Sequence, residues 1–179
     1  MNPTPITRRT LVDEADGELS LGVVLERQVA DRLTAEDPRR GLRGSNLAPF
    51  CTLVEEVSHF VCLAFCAQAA RSVTQLELEL QAEVDKYLQL VLLLSLQNEG
   101  AVAPGLQELL FRSYRLRGGL SAEQAERYRA ASGLAYRYCR FLEAAYLRPA
   151  RLPELRREGR RFYRLGQGGK LERISSARA

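Results

Sequence analysis

Between residues 51 and 66 the chain reads CTLVEEVSHFVCLAFC, which sets two glutamates and the only histidine of the sequence in an otherwise apolar helical stretch. A carboxylate and an imidazole three residues apart lie side by side on a helix, where they can form an ion pair or bind a metal together. Projection onto a helix puts Val54, Val57, Val61 and Phe65 on one face and Glu55, Glu56, His59, Cys62 and Cys66 on the opposite stripe. A second acidic stretch, LELELQAEVDKYL, carries Glu79, Glu83 and Lys86 on one stripe. If the two helices pair antiparallel about a turn near residue 72, His59 stands level with Lys86, Cys62 with Glu83 and Cys66 with Glu79. Two chemistries fit. One is a polar network of Glu55, Glu56, His59 and Lys86, favoured because Lys86 is a sufficient salt-bridge partner. The other is a metal site built from Glu56, His59, Glu79 and Glu83, with Glu143 from a later helix.

The Glu56-Val-Ser-His59 spacing resembles the Glu-x-x-His half-motif of ferritin-like di-iron carboxylate proteins, whose bundles add one glutamate from each of two further helices. That resemblance implies an oxidoreductase holding iron or manganese, with Glu26 and Glu79 or Glu83 in the additional places. Where the family pattern has a second Glu-x-x-His, this chain reads Glu143-Ala-Ala-Tyr146. Zinc is the other metal these side chains suit, but His59, Cys62 and Cys66 span about 10 Å of helix axis at about 1.5 Å per residue, so at most two neighbours can share one ion. The favoured expectation is no cofactor. There is no GxSxG elbow, P-loop or dinucleotide fingerprint, and GQGGK at 166–170 lacks the spacing of a phosphate loop.

Charge is segregated along the chain. Residues 1–100 carry 9 basic and 15 acidic side chains, a balance of −6, and residues 101–179 carry 17 and 7, a balance of +10. Of the 26 basic residues, 24 are arginine, the better bidentate donor to carboxylate and phosphate. Arg127, Arg129, Arg137 and Arg140 alternate with tyrosines, and Arg156, Arg157, Arg160, Arg161 and Arg164 follow in a dense run. This surface suits an acidic protein partner first and nucleic acid second, and it is compatible with a homo-oligomer. The function expected is that of a non-catalytic interaction or adaptor protein, with the metal-binding oxidoreductase as the alternative.

The elements that must position these residues follow from periodicity and punctuation. Residues 1–17 read as a flexible leader, and a first helix is expected over about 20–35. A second runs from near Pro49 to about Ala70, and a third from the RSVT break to about Gln97. A short helix follows at 105–116, ended by Gly118 and Gly119. Ser121 with Gln124 forms a capping box that opens a long helix ending at Pro149. A short basic helix over 153–164 precedes YRLGQGGKLERI, read as a hairpin or an extended tail. The fold class expected is an all-α, up-down antiparallel bundle of about four principal helices plus short ones. Its bundle domain spans 18–148, with an arginine-rich C-terminal extension over 149–179. The 179 residues are 46% hydrophobic and 27% charged, as in a globular domain. Cysteines at 51, 62, 66 and 139 read as reduced thiols. With no secretory segment and no apolar run of transmembrane length in view, a cytoplasmic protein without a membrane partner is expected.

Overall fold

The computed structural model describes residues 4–5, 10–15, 18–102, 105–112 and 120–177. The protein is an all-α bundle, carrying a small antiparallel sheet at its N-terminal side. The sheet runs in the order β1 (Thr4–Pro5), β2 (Thr10–Ala15), β3 (Glu18–Val23), with Thr10 opposite Val23 and Ala15 opposite Glu18. Two expectations are corrected here. Residues 10–15 belong to a strand rather than a flexible leader, and the first helix, α1 (Arg27–Ala35), begins later than residue 20 because Ser20–Val23 pairs with β2. Leu21 lies on β3 and packs beside Cys62, Leu63 and Cys66, and Val24 follows the strand.

Helix α2 (Gly44–Gln68) also starts earlier than expected. Asn46 explains the start. Its side-chain oxygen accepts from the Arg43 amide at 2.8 Å, and its side-chain nitrogen donates to the carbonyls of Glu36 and Gly41, so the fully buried amide ties the helix to the preceding loop. Pro49 therefore lies inside the helix, in its second turn, where it withholds one backbone donor. Helix α3 (Gln75–Gln97) opens at Thr74, whose hydroxyl accepts from the Glu77 amide at 3.1 Å. The LELEL alternation does not make a strand. From Glu77 to Val84 every residue is buried, the mark of a helix enclosed on all sides.

Helix α4 (Leu106–Arg112) is short, and Gly118 and Gly119, assigned to its end, lie outside the described residues. Helix α5 (Ala122–Leu142) has the expected capping box. The Ser121 amide donates to Gln124 Oε1 at 2.9 Å, and the Gln124 amide donates back to Ser121 Oγ at 3.1 Å. The helix then widens into one π turn (Glu143–Leu147), in which the Arg148 amide reaches the Glu143 carbonyl five residues back at 2.9 Å. After it come α6 (Leu152–Arg164) and α7 (Gln167–Ser176). The second of these corrects the hairpin or tail reading, since Gly168 and Gly169 sit in the first turn of a helix rather than in a β-turn.

Helices α6 and α7 are packed into the bundle. Leu155, Phe162 and Ile174 are buried in one core with Leu80, Val84, Tyr87, Leu90 and Val91 of α3 and Tyr138 and Leu142 of α5. The small side chains of Ala131 and Ala135 let α5 lie close to α3. Tyr138 stacks on Phe162 with centroids 4.2 Å apart, and its hydroxyl donates to the buried Glu158 at 2.8 Å. Arg173 on α7 holds the same carboxylate at 2.7 Å. The arginine run that suggests a solvated tail is the outer face of α6. Its inner stripe, Leu155, Glu158 and Phe162, is as enclosed as the bundle proper.

Candidate functional site

The seam between α2 and α3 carries a run of buried polar side chains beside the apolar cluster of Cys62, Leu63, Cys66 and Leu78. Near its middle His59 is 1% exposed and its Nε2 lies 3.6 Å from Glu79 Oε2, an ion-pair distance longer than a hydrogen bond. Neither ring nitrogen makes a hydrogen bond. Burial pushes the imidazole pKa down, but Glu79, aided by Glu55 and Glu56, outweighs it and holds the pKa above the ordinary 6.5. The expected register is shifted: Lys86 does not face His59. It donates at 3.2 Å to Glu55, one turn before the histidine, and at 2.8 Å to Glu83 on its own helix. Cys66 lies by Arg71, which donates to its sulfur at 2.9 Å, rather than opposite Glu79. Beside the histidine, Ser58 donates to Asp85 at 2.6 Å and Gln81 donates to the other oxygen of that carboxylate at 2.8 Å. Burial lifts the pKa of both Glu83 and Asp85 above its usual value, against the pull of Lys86 on the first and of Ser58 and Gln81 on the second.

At the far end of the seam, Glu77 is 2% exposed and receives three bonds: two from Arg71 at 2.9 and 3.1 Å and one from Lys170 of α7 at 2.9 Å. Lys170 is fully buried. Spacing and periodicity did not reveal this residue, because it lies in a glycine-rich stretch read as a turn. One clue was present: it is one of two lysines in a chain of 24 arginines, and the other, Lys86, is buried too. Thr74 and Gln167 are hydrogen-bonded at the same end, closing α7 against the start of α3.

The residues assigned to a metal do not converge. Glu56, His59, Glu79 and Glu83 share the seam and all are buried. Glu143 is held elsewhere, accepting from the Gly105 amide at 3.2 Å and from Arg148 at 3.3 Å in the π turn. Among the described residues, no group of three or more histidine, cysteine, aspartate or glutamate side chains has the geometry to hold one ion. Nor are Cys51 and Cys62 poised for nucleophilic work. Burial pushes Cys51 to about 11 and Cys62 to about 12, so both are protonated at neutral pH. Of the residues assigned to the polar network, Lys86 pairs with Glu55, whereas His59 lies beside Glu79 instead. No family model, curated protein or solved structure matches the chain.

The arginines divide by position. Arg129, Arg137 and Arg140 of α5 and Arg156, Arg157, Arg160, Arg161 and Arg164 of α6 are exposed, whereas Arg127 is half-buried. Arg140 lies over the Tyr136 ring at 5.9 Å. On α6, Arg157 is 3.6 Å from Glu154, and Arg156 and Arg160 pair with no described carboxylate. These last three border a groove of about 720 Å³ between α6 and the end of α3, with Leu92 and Leu96 on its opposite side.

Proposed function

We propose that this protein is a non-catalytic interaction module that engages an acidic partner through the exposed arginines of its basic half. One observation carries the reading: although Lys170 crosses to Glu77, most of the exposed arginines of the basic half pair with no described carboxylate. Glu55, Glu77 and Glu83 are satisfied inside the fold by Lys86, Lys170 and Arg71. The arginines at 129, 137, 156, 160 and 164 are left on the surface with no described ion-pair partner. Like charges held together on a surface raise the local potential and draw an opposite charge to it. Arginine also matches carboxylates in bidentate geometry.

A fluorescein-labelled polyglutamate peptide tests this by anisotropy. It is expected to bind at about 0.01 M ionic strength and to weaken steeply toward about 0.15 M, as the screening length falls from roughly 30 to 8 Å. Absence of binding at low ionic strength overturns the reading. Preference for a DNA duplex of equal charge does so as well.

A further inference from the structure

From the groove between α3 and α6 we infer a docking site for an acidic amphipathic helix of a partner protein, a deepening that rests on the acidic-partner reading. The groove is flanked by two ridges of different chemistry. Leu92 and Leu96 are four residues apart on the last two turns of α3, and Leu96 is 83% exposed. Arg156 and Arg160 are likewise four apart on α6. Side chains at this spacing stand one above the other, about 6 Å apart along the axis. A helix laid in the groove meets an aliphatic ladder on one side and a guanidinium ladder on the other. The matching ligand presents leucine-like residues at i and i+4 and glutamates at a second i, i+4 pair about a quarter-turn away, the helix-in-groove mode of recognition.

Two features select against other occupants. The apolar ridge is aliphatic, with Leu152 and Pro153 beside it, and has no aromatic surface on which nucleic-acid bases could stack. Glu99 and the carbonyl end of α3 give one end of the groove the opposite sign. A phosphate backbone, negative throughout, is repelled there, whereas a helix has a positive N-terminus to place at that end.

The test uses the full chain and three labelled peptides: an amphipathic Leu/Glu helix with the spacing above, its scrambled isomer, and polyglutamate. The amphipathic peptide is expected to bind about tenfold more tightly than the scrambled one. Leu96→Gln and the pair Arg156→Glu/Arg160→Glu are each expected to abolish that advantage, and Arg27→Glu/Arg40→Glu, exposed in the acidic half, to leave it intact. All these positions are exposed, and circular dichroism confirms the fold of each variant. If polyglutamate binds but the amphipathic peptide has no advantage, or keeps it in the Leu96 and α6 variants, the groove is overturned and the acidic-partner reading stands. If neither peptide binds, both fall. Self-association in sedimentation that Leu96→Gln abolishes would make a second copy the occupant and overturn the partner helix.

Discussion

His59 shows what a single enclosed side chain imposes on the protein as a whole. Its folded pKa lies above 6.5, so the folded state holds this proton more tightly than the unfolded chain. Its contribution to stability is complete below 6.5 and is lost as pH rises through the higher folded value. Glu83 and Asp85 act in the same direction from their ordinary values of 4.5 and 3.8 upward, because their folded pKa values are also raised. Glu158, whose pKa is lowered, acts oppositely: its stabilisation is present above 4.5 and is lost as pH falls. The melting temperature is therefore expected to be higher near about pH 6 than near about pH 8.5. His59→Gln should flatten the decline above 6.5. Calorimetry across the range checks this, and a melting temperature that rises between those two values would sink it. The stripe containing His59 was legible in the sequence because helical projection depends only on spacing. Its partner was not, because the axial offset of two packed helices depends on side-chain fit. That offset put Glu79, two turns before Lys86, beside the ring.

At the level of elements, boundaries were legible wherever a backbone donor had a local partner. Ser121 and Gln124 satisfy each other within three residues, and Thr74 caps α3 within three. The start of α2 was not, since Asn46 works through carbonyls up to ten residues away. Strands β2 and β3 were missed for a related reason. Leu21, Val24, Leu25 and Val29 match helical spacing, but pairing of Ser20–Val23 with Thr10–Asp13 overrides it. Helix α2 is long and apolar enough to cross a bilayer by length and composition alone, with a mean hydropathy of 1.6 over its most apolar window. Its Glu55 and His59 pair with Lys86 and Glu79 of α3. The caps make a graded comparison. Ser121→Ala is expected to cost about 1 kcal/mol. Thr74→Ala should cost more, because Gln167 loses its hydroxyl partner in the same step. Urea unfolding with an unchanged denaturant slope reads both. Equal costs would mean that the contact with α7 contributes nothing.

Over the whole molecule, contacts join chain neighbours in the α2–α3 pair and distant segments at the C-terminal end. Lys170 reaches Glu77 across 93 residues of chain, as does Gln167 with Thr74. Lys170→Met removes one cation from a buried carboxylate that Arg71 still holds. We expect a loss of about 3 kcal/mol, the lower end of the cost of breaking a buried pair. Adding Glu77→Gln should recover part of it, because the remaining group is then neutral. A double-mutant cycle measures the difference, and a loss no larger than that of an exposed pair would show that α7 is not pinned there. Composition could not reveal this closure, because a lysine in a glycine-rich segment reads the same whether it hangs in water or enters the core.

The lysine clasp also gives the fold a mechanical polarity. Tension applied at residue 177 reaches Ile174 and Lys170 first, within a helix of ten residues. Peeling that helix away would strip a cation from Glu77 and Arg173 from Glu158, so the load passes first through these two ion pairs. Anything attached beyond α7 and pulled thus acts directly on the charge balance at the heart of the protein.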